Sequence, residues 1–455
     1  MRKHCAEDSK HFISRRQFAG AGAGLGAFLL PIRSDAHREA VPRRKCKQVV
    51  MVLLEGGMSH LDSWDPKPEA PSGIRGSFDS IQSANPELRV GEHLPGLAAL
   101  AGQFNVVRSV YSPNLRNNHS PGLHWVLTGY DNQAASVGGV KVNTHPSIGS
   151  VVAMHGRREG RPETLGFVAV PDRKQLGGRV NYNHALHLGH ANEAFDTGPI
   201  PDNASGRYVV PAGLVLPQSL DMNRFRSRRQ LLGALERTRR SFDAAAASGL
   251  AGYQSHAFDL LLGNRGQAAF DINLESESVR RRYGDHYFGQ RILMARRLIE
   301  AGVSYVLVNL SKNNSWDAHK KNFRSHAEKL PRLDQAMSAL LTDLRDHGLL
   351  DQTLVLMTGE MGRTPQINKN NGRDHWSRAW SAMIAGGGLT QGQVLGSTST
   401  DGADPASRPV HINELLATVY HQLGIDPDLA VIDQQGRPIR IQPETHAVHE
   451  LTGTI

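Results

Sequence analysis

The chain has 455 residues, of which 39% are hydrophobic and 21% are charged, a composition typical of a globular protein with a large core. Its two cysteines, Cys5 and Cys46, are too few for a disulfide framework. The net charge is +9, and residues 1–40 contribute +3 of it. The rest of the chain has a mild positive charge and no nucleic-acid-binding motif. We therefore expect no nucleic-acid partner.

The N-terminal segment has the features of an export signal. Residues 14–18 read Ser-Arg-Arg-Gln-Phe, an uncharged run extends from Ala19 to Ile32, and small residues follow at Ser34 and Ala36. This order predicts a twin-arginine signal peptide at residues 1–36. The apolar run is shorter than the roughly 20 residues of a spanning helix. We therefore expect the twin-arginine translocase as a partner, export to the periplasm or the cell exterior, and no membrane span in the mature chain.

Short apolar runs alternate with helical stripes along the rest of the chain. The runs predict buried strands at Val49–Leu54, Phe104–Val107, Leu165–Val170, Val303–Leu310, Thr353–Met357 and Ala382–Ala385. The stripes predict helices around Ile292–Ile299, Leu333–Leu344 and Leu415–Leu423, each followed by a glycine that can end it. This alternation indicates an α/β fold with a mostly parallel central sheet flanked by helices on both faces, in one domain over residues 47–455.

The middle of the chain departs from this alternation. Residues about 172–220 are rich in His, Asn, Gly and Pro, and residues about 221–262 have a helical pattern with seven arginines between Arg224 and Arg240. We interpret 172–262 as a loop-rich and helical insertion with a solvated basic face. Docking of an acidic polymer to that face is the alternative.

The segment His119–Gly129, His-Ser-Pro-Gly-Leu-His-Trp-Val-Leu-Thr-Gly, predicts a short helix that stops at the glycine. Its first turn presents His119 and Ser120. Each is a candidate nucleophile, and a plain helix start is the alternative interpretation.

Acidic and imidazole side chains follow several predicted strands, where ligands bind in sheets of this kind. They fall in four loops: Glu55, His60 and Asp62; Asp317 and His319; Glu360 with Arg363; Asp374 with His375. Carboxylates and imidazoles are ligands of divalent cations, and Asp374 is a candidate to orient His375. Each motif alone is compatible with an ordinary turn or ion pair. Their joint placement predicts a site for one or two divalent cations (Zn, Ca, Mg or Mn).

Several of these motifs also carry a family resemblance. They are Gly56–Pro68, Ala295–Val303, Trp316–His319, Gly359–Pro365 and Gly372–Trp376. With them the chain resembles the exported "domain of unknown function 1501" family, which is similar to the alkaline phosphatase–sulfatase superfamily. The resemblance implies an alkaline-phosphatase/sulfatase-like fold, one or two divalent cations, and cleavage of phosphate or sulfate esters.

The resemblance also implies roles for individual residues. By order along the chain, Glu55, Asp317, His319, Glu360 and His375 take the places of metal ligands, although Met361 stands where the superfamily has a histidine. Sulfatases have Cys/Ser-x-Pro-Ser-Arg ahead of Leu-Thr-Gly. Here His119 occupies the nucleophile position, and Gly122 and Leu123 replace Ser and Arg. Sulfatase activity proper is therefore not expected.

The leading hypothesis is a metal-dependent hydrolase acting on a phosphate or sulfate ester, with a polysaccharide as one class of substrate. In it, His119 or Ser120 is the nucleophile or its support, and Arg363 pairs with substrate oxygens through its planar guanidinium. His119 as a metal ligand and a site without hydrolase chemistry are the other interpretations. His60, Asp62 and Asp374 are second-tier candidates. The alternative function is a non-catalytic exported protein that binds an anionic glycan or a partner protein in the same cleft.

Overall fold

The computed structural model describes residues 43–112, 117–131, 135–159, 165–211, 214, 223–224, 227, 230–231, 264–312, 314–433, 435–443 and 445–453. The signal peptide expected at 1–36 and most of the arginine-rich segment at 221–262 lie outside the described residues.

Nine strands form the central sheet, numbered here along the chain. They are β1 Gln48–Leu53, β2 Phe104–Tyr111, β3 Phe167–Val170, β4 Phe195–Asp196, β5 Tyr305–Asn309, β6 Thr353–Thr358, β7 Trp380–Gly386, β8 Val394–Leu395 and β9 Val410–His411. The order across the sheet is β8-β2-β7-β6-β1-β5-β3-β4, and β9 also pairs with β2. Within this sheet only β7 is antiparallel to its neighbours. The predicted mostly parallel sheet and all six predicted strands are confirmed.

Seven helices of seven or more residues are described. They are α1 His119–Thr128, α2 Ile148–Arg158, α3 Asn264–Phe270, α4 Glu277–Tyr283, α5 Tyr287–Glu300, α6 Asn322–Asp346 and α7 Ile412–Leu423. Shorter helices span Ser72–Arg75, Pro95–Ala99 and His449–Thr452. Helix α6 begins well before the predicted stripe and passes through Pro331. His326 and Leu330, both fully buried, extend the apolar face upstream from Leu333, so packing outweighs the proline's tendency to end a helix.

Two apolar clusters lie on opposite faces of the sheet, because successive strand side chains point to opposite sides. On β1, Val50 and Val52 join the cluster packed under α5 and α6, whereas Val49, Met51 and Leu53 join the one under α1, α2 and α7. The predicted helices on both faces are thus confirmed. In the described part of the chain, no helix is both long and apolar enough to cross a membrane.

The described part of the middle segment, 172–211, is mostly irregular, but it supplies the edge strand β4 of the central sheet. It contains the 3-10 turns Leu176–Gly178, Leu186–Leu188 and His190–Asn192. Other 3-10 turns span Ala101–Gln103, Ile272–Leu274 and Leu350–Gln352. Strand pairs outside the central sheet are Ser80–Gln82 with Arg89–Gly91, Ala135–Val137 with Val140–Val142, Val140–Val142 with Val180–Asn181, Gly362–Arg363 with His375–Trp376, Ser397–Thr398 with Pro405–Ser407, and Ala430–Ile432 with Pro438–Arg440.

Candidate metal centre

The three strands at the middle of the sheet, β6, β1 and β5, are parallel neighbours, so the loops after them leave the same edge. Glu55 follows β1, Asp317 follows β5 and Glu360 follows β6. His375 reaches this edge on a short hairpin in which it pairs with Arg363. His119 arrives from the side, as the first residue of α1. The fold therefore gathers the polar residues predicted at the strand ends.

Three ligand atoms, one each from His119, Asp317 and His375, lie within 4.8 Å of one another, the one such group in the described residues. The Asp317 carboxylate lies between the rings. Its Oδ2 is 3.2 Å from His119 Nε2, and its Oδ1 is 3.2 Å from His375 Nε2. His319 joins beside them, with its Nε2 3.0 Å from Asp317 Oδ1. An imidazole–carboxylate set of this composition suits a borderline divalent cation.

The Nδ1 atom of each of the three rings faces an acceptor. The acceptors are Glu360 Oε1 at 2.6 Å from His119, Asp374 Oδ1 at 2.6 Å from His319, and the Asn117 carbonyl oxygen at 2.8 Å from His375. A carbonyl accepts only, and an ionised carboxylate does the same, so each Nδ1–H donates. In a neutral ring with this tautomer, the Nε2 atom carries a lone pair that is directed at the cluster. Metal-bound histidines are held by the same pattern of outer hydrogen bonds.

The Nε2 atoms of His319 and His375 are 2.9 Å apart. With both rings neutral, this contact brings two acceptors together, which is unfavourable unless a proton or a metal ion lies with them. The side chains present therefore fit a bound cation by the chemistry of their donors.

Without a cation, protons on the histidines would balance the negative charge of the carboxylates. Burial opposes protonation of His119, but its hydrogen bonds to Asp317 and Glu360 raise the pKa of the imidazole to about 9. Burial also opposes ionisation of Asp317, yet the bonds from His119 and His375 and the charge of Arg363 hold the pKa of its carboxyl group well below the usual value. The carboxylates of the cluster thus stabilise at least one positive charge between them.

Glu360 and Glu55 are both 1% exposed and lie beside this group. Glu360 accepts the Gly56 N–H at 2.9 Å, in addition to the bond from His119. Glu55 accepts the Leu176 N–H at 2.9 Å and the Asn309 side-chain amide at 2.7 Å. Burial, together with the charge of Glu360, raises the pKa of Glu55 to about 7. Their carboxylate oxygens are not among the three mutually close ligand atoms, so as metal ligands both residues stay predictions.

Helix α1 starts as the sequence predicts, and its residues 119 and 120 face different surroundings. Asn118 caps the helix by accepting the Ser120 N–H at 3.1 Å, and Gly129 ends it with φ of 82°. The Ser120 hydroxyl lies 2.5 Å from the Tyr182 hydroxyl, within the buried interior. Lys141 Nζ also lies 3.4 Å from the Ser120 hydroxyl. Ser120 as nucleophile stays a prediction.

Gly122 makes the contact between α1 and Glu360 possible. A Cβ at this position would lie 3.0 Å from the Glu360 carbonyl oxygen and 3.2 Å from its Cγ. The missing side chain lets Glu360 pack against the helix and reach His119.

Arg363 is fully buried and its donors are occupied within the protein. It donates to the Gly57 carbonyl at 3.0 Å, to the Arg373 carbonyl at 3.2 Å, and to the Gly56 carbonyl. Its Nη2 also lies 2.6 Å from Asp317 Oδ1. The guanidinium holds Asp317 and the loop after β1, an arrangement that does not favour the predicted fork for substrate oxygens.

The second-tier candidates separate into two kinds. Asp62 forms a fully buried ion pair with Arg373, at 2.9 and 3.1 Å, and His60 bonds the Gly402 carbonyl at 2.9 Å. Neither residue is part of the histidine cluster. Asp374 does touch the cluster, but it holds His319, and the expectation that it orients His375 is wrong.

Sequence reasoning missed Asn314, Asn117 and Asn309. The Asn314 amide nitrogen lies 3.1 Å from both His119 Nε2 and Asp317 Oδ2, and its Oδ1 is buried with no partner among the described residues. Its backbone has φ of 62°, a conformation that asparagine tolerates better than most residues. An asparagine in a strand-end loop just before Trp-Asp-Ala-His was the signal available.

Fold and site together define an α/β protein with a candidate cation site at the carboxyl ends of its central strands. The chain belongs to the family described as Protein of unknown function (DUF1501), whose model matches residues 46–452. A search of curated protein sequences gives no match.

Solved structures give distant matches. Ps i-CgsB is 12% identical, over 84% of this chain and 72% of that one, with a TM-score of 0.40. A protein in the alkaline phosphatase superfamily from Vibrio parahaemolyticus is 11% identical, over 87% and 74%, with a TM-score of 0.36. The C-terminal periplasmic domain of EcEptC from Escherichia coli, solved in complex with Zn, is 11% identical, over 91% and 97%, with a TM-score of 0.38. At these values the alignments assign no function to the chain.

Proposed function

We propose that this protein is a metal-dependent hydrolase of phosphate or sulfate esters. The observation that supports the proposal is the convergence of His119 Nε2, Asp317 and His375 Nε2 within 4.8 Å, with the Nδ1 atom of each histidine facing an acceptor. Buried carboxylates and inward-facing lone pairs are costly without a cation. The sequence resemblance to the alkaline phosphatase–sulfatase superfamily adds the class of reaction.

In this proposal His119, Asp317 and His375 hold the cation, and His319 lies in place to join them. A bound divalent cation would polarise an ester oxygen and neutralise charge in the transition state. Glu360 and Asp374 keep the His119 and His319 rings oriented, and Arg363 keeps Asp317 in place. Glu55, whose pKa is raised to about 7, can hold or release a proton near neutral pH. Because His119 serves as ligand and Ser120 faces Tyr182, water is the attacking group.

A non-catalytic binding protein is the second candidate. The observation that favours it is that Arg363 and Ser120, two of the three side chains expected to act on substrate, have partners inside the protein. Hydrolysis of aryl phosphate or aryl sulfate by the metal-loaded protein would decide for the first candidate. Absence of turnover with metal bound would decide for the second.

Elemental analysis by mass spectrometry of the purified protein tests the proposal. We expect about one or two equivalents of zinc, calcium, magnesium or manganese, lost in Asp317→Ala/His375→Ala. The control is Asp351→Ala/His347→Ala, which removes an exposed aspartate and an exposed histidine elsewhere. Unchanged metal in the first variant, or none in the wild-type protein after incubation with each cation, would overturn the assignment.

We also propose export through the twin-arginine pathway. Support comes from the Ser-Arg-Arg-Gln-Phe sequence at 14–18 and the apolar run that follows it. Replacement of both Arg15 and Arg16 with lysine should retain the protein in the cytoplasm, and unchanged export would contradict the proposal.

A further inference from the structure

An open cleft of about 530 Å³ lies between the short helix Ser72–Arg75, the start of α6 and the loop before Asp374. Its volume is within the range of small-molecule binding sites. Among the described residues that line it, the two that carry a charge are Lys321 and Arg324, and both are cationic. An electropositive cleft without an acidic wall favours an anionic ligand.

The cleft adjoins the candidate metal centre through shared backbone. Lys321 is two residues from His319, and its N–H donates to the Asn370 carbonyl at 3.0 Å. The Asn368 amide bridges the two regions, since it donates to the His319 carbonyl and to Asp374 Oδ1, each at 3.0 Å. These contacts place the cleft beside the backbone of His319 and the side chain of Asp374, which holds the His319 ring.

Two neighbouring residues of the cleft lining are held in left-handed backbone conformations. Lys321 has φ of 53° and Asn371 has φ of 53°. The Asn322 N–H donates to the Asn371 carbonyl at 2.8 Å, so the two segments that carry these residues lie side by side. Such conformations cost energy in residues other than glycine and concentrate at functional sites. Lys321 also stands at the N-terminus of the 25-residue helix α6, which adds positive potential to its own charge.

The ion pair that Arg324 forms is weak. Arg324 lies 3.7 Å from Glu328, and the two side chains are 77% and 59% exposed. Exposed pairs at this separation contribute little, so a ligand can replace the glutamate.

Phe323, between the two cations in sequence, supplies an apolar surface. The fully buried Arg373 covers one side of its ring at 5.7 Å, and the ring is only partly buried. Gly76 makes room for it, since a Cβ there would lie 2.4 Å from a Phe323 ring carbon. The polar side chains of Ser72, Ser77 and Asn371 and the apolar side chain of Ile367 complete the lining. Cations, one partly exposed aromatic ring and hydroxyl-binding groups together match an anionic sugar.

We infer that this cleft binds an anionic sugar unit of a polysaccharide, adjacent to the unit whose ester would be cleaved at the metal centre. Sugar binding in the cleft does not depend on the proposed hydrolase function. Only the position of that sugar next to a cleaved ester rests on it. It specifies the substrate class as a polymer with negative charge beyond the scissile group, and it makes Lys321 and Arg324 specificity-determining residues.

Calorimetric titration of the full mature protein tests it, with a sulfated carrageenan tetrasaccharide and the same tetrasaccharide without its sulfate groups as probes. We expect the sulfated probe to bind and the neutral one to bind at least about tenfold more weakly. Lys321→Gln/Arg324→Gln should weaken binding of the sulfated probe about tenfold or more. The control Arg345→Gln/Arg437→Gln makes the same change in net charge on exposed arginines elsewhere and should stay within about twofold of wild type.

Three results would overturn the inference: no binding by the wild-type protein, equal weakening in both double variants, and unchanged binding in Lys321→Gln/Arg324→Gln. Both residues are exposed, so the variants should keep the wild-type unfolding temperature. Metal content separates the two proposals. Failure of the hydrolase proposal shows as wild-type protein without metal, whereas failure of the cleft shows as unchanged sugar binding in a variant that keeps its metal.

Discussion

The Nε2 atoms of His319 and His375 lie 2.9 Å apart, although the Nδ1 atom of each ring already donates, to Asp374 and to the Asn117 carbonyl respectively. This arrangement directs both Nε2 atoms at one point, where a shared proton or cation would stabilise them. A cation site implies that the groups that hold the rings also contribute to metal affinity.

Glu360→Gln should weaken metal binding by roughly 10–100-fold, because the amide is a poorer acceptor for His119 Nδ1–H and leaves Nε2 less basic. Titration of the metal-free protein with zinc, followed by calorimetry, measures the change. Glu277→Gln, on the exposed surface of α4, is the control. An affinity equal to that of the control would show that Glu360 does not contribute to metal binding.

Asn314→Gly should lower metal affinity severalfold while the fold stays intact. Glycine accepts the φ of 62° that asparagine adopts there, so the change removes mainly the amide that touches His119 and Asp317. Asn371→Gly, at φ of 53°, is the matched control for backbone effects. If both variants retain wild-type affinity in a competition assay with a zinc chelator, Asn314 has no part in the site.

Ser120→Ala and His119→Ala should differ sharply. The Ser120 hydroxyl contacts Tyr182, so its loss should leave metal content unchanged and alter hydrolysis by no more than severalfold. His119→Ala removes a ligand atom and should remove the metal. Metal analysis and a phosphate-ester assay on the two variants decide this. Abolished turnover in Ser120→Ala with metal retained would restore the serine as nucleophile.

Asp62→Asn should reduce the free energy of unfolding by about 3–5 kcal/mol, because it leaves the fully buried Arg373 without its counter-charge. Asp404→Asn breaks a two-contact pair of similar geometry with Arg378 on the surface and should cost less than about 1 kcal/mol. Urea denaturation of both variants gives the comparison. Equal losses would mean that burial does not distinguish the two pairs.

The same pair predicts a dependence of stability on pH. Burial alone would raise the pKa of Asp62, but the charges of Arg373 and His326 and the hydrogen bonds from Arg373 together outweigh it, and the pKa is lowered. A carboxyl group with a lowered folded-state pKa stabilises the fold above its unfolded pKa, near 4, and this contribution is lost as the pH falls below that value. The difference in stability between wild type and Asp62→Asn should therefore be constant above about pH 5 and shrink below pH 4. A difference that grows on acidification would contradict the assignment.

The sequence was sufficient for the strands and for the edge of the sheet at which the site lies. Continuous apolar runs at β1, β5 and β6 predict parallel central strands, and parallel strands place Glu55, Asp317 and Glu360 at one edge. Neither step depends on side-chain orientation.

The sequence does not specify how the side chains in these loops are oriented. Within Gly-Arg-Asp-His-Trp, three neighbouring polar residues have three different fates: Arg373 enters the core to pair with Asp62, Asp374 supports His319, and His375 joins Asp317. The hairpin formed with Gly362–Arg363 decides which side chain points where. The pairing is a long-range property that no local spacing specifies, and Asn314 escaped notice because its role depends on a helix almost 200 residues away.

The close approach of Gly122 to Glu360 has a consequence for which residues position 122 can accept. A serine at position 122, as in the sulfatase motif, would press on Glu360 where a Cβ already meets its carbonyl oxygen at 3.0 Å. The histidine at 119 needs that same glutamate as its acceptor. A side chain at position 122 would therefore act on the site without touching it, by displacing the carboxylate that holds the His119 ring. The distance between a helix turn and a strand end thus helps to set the orientation of His119.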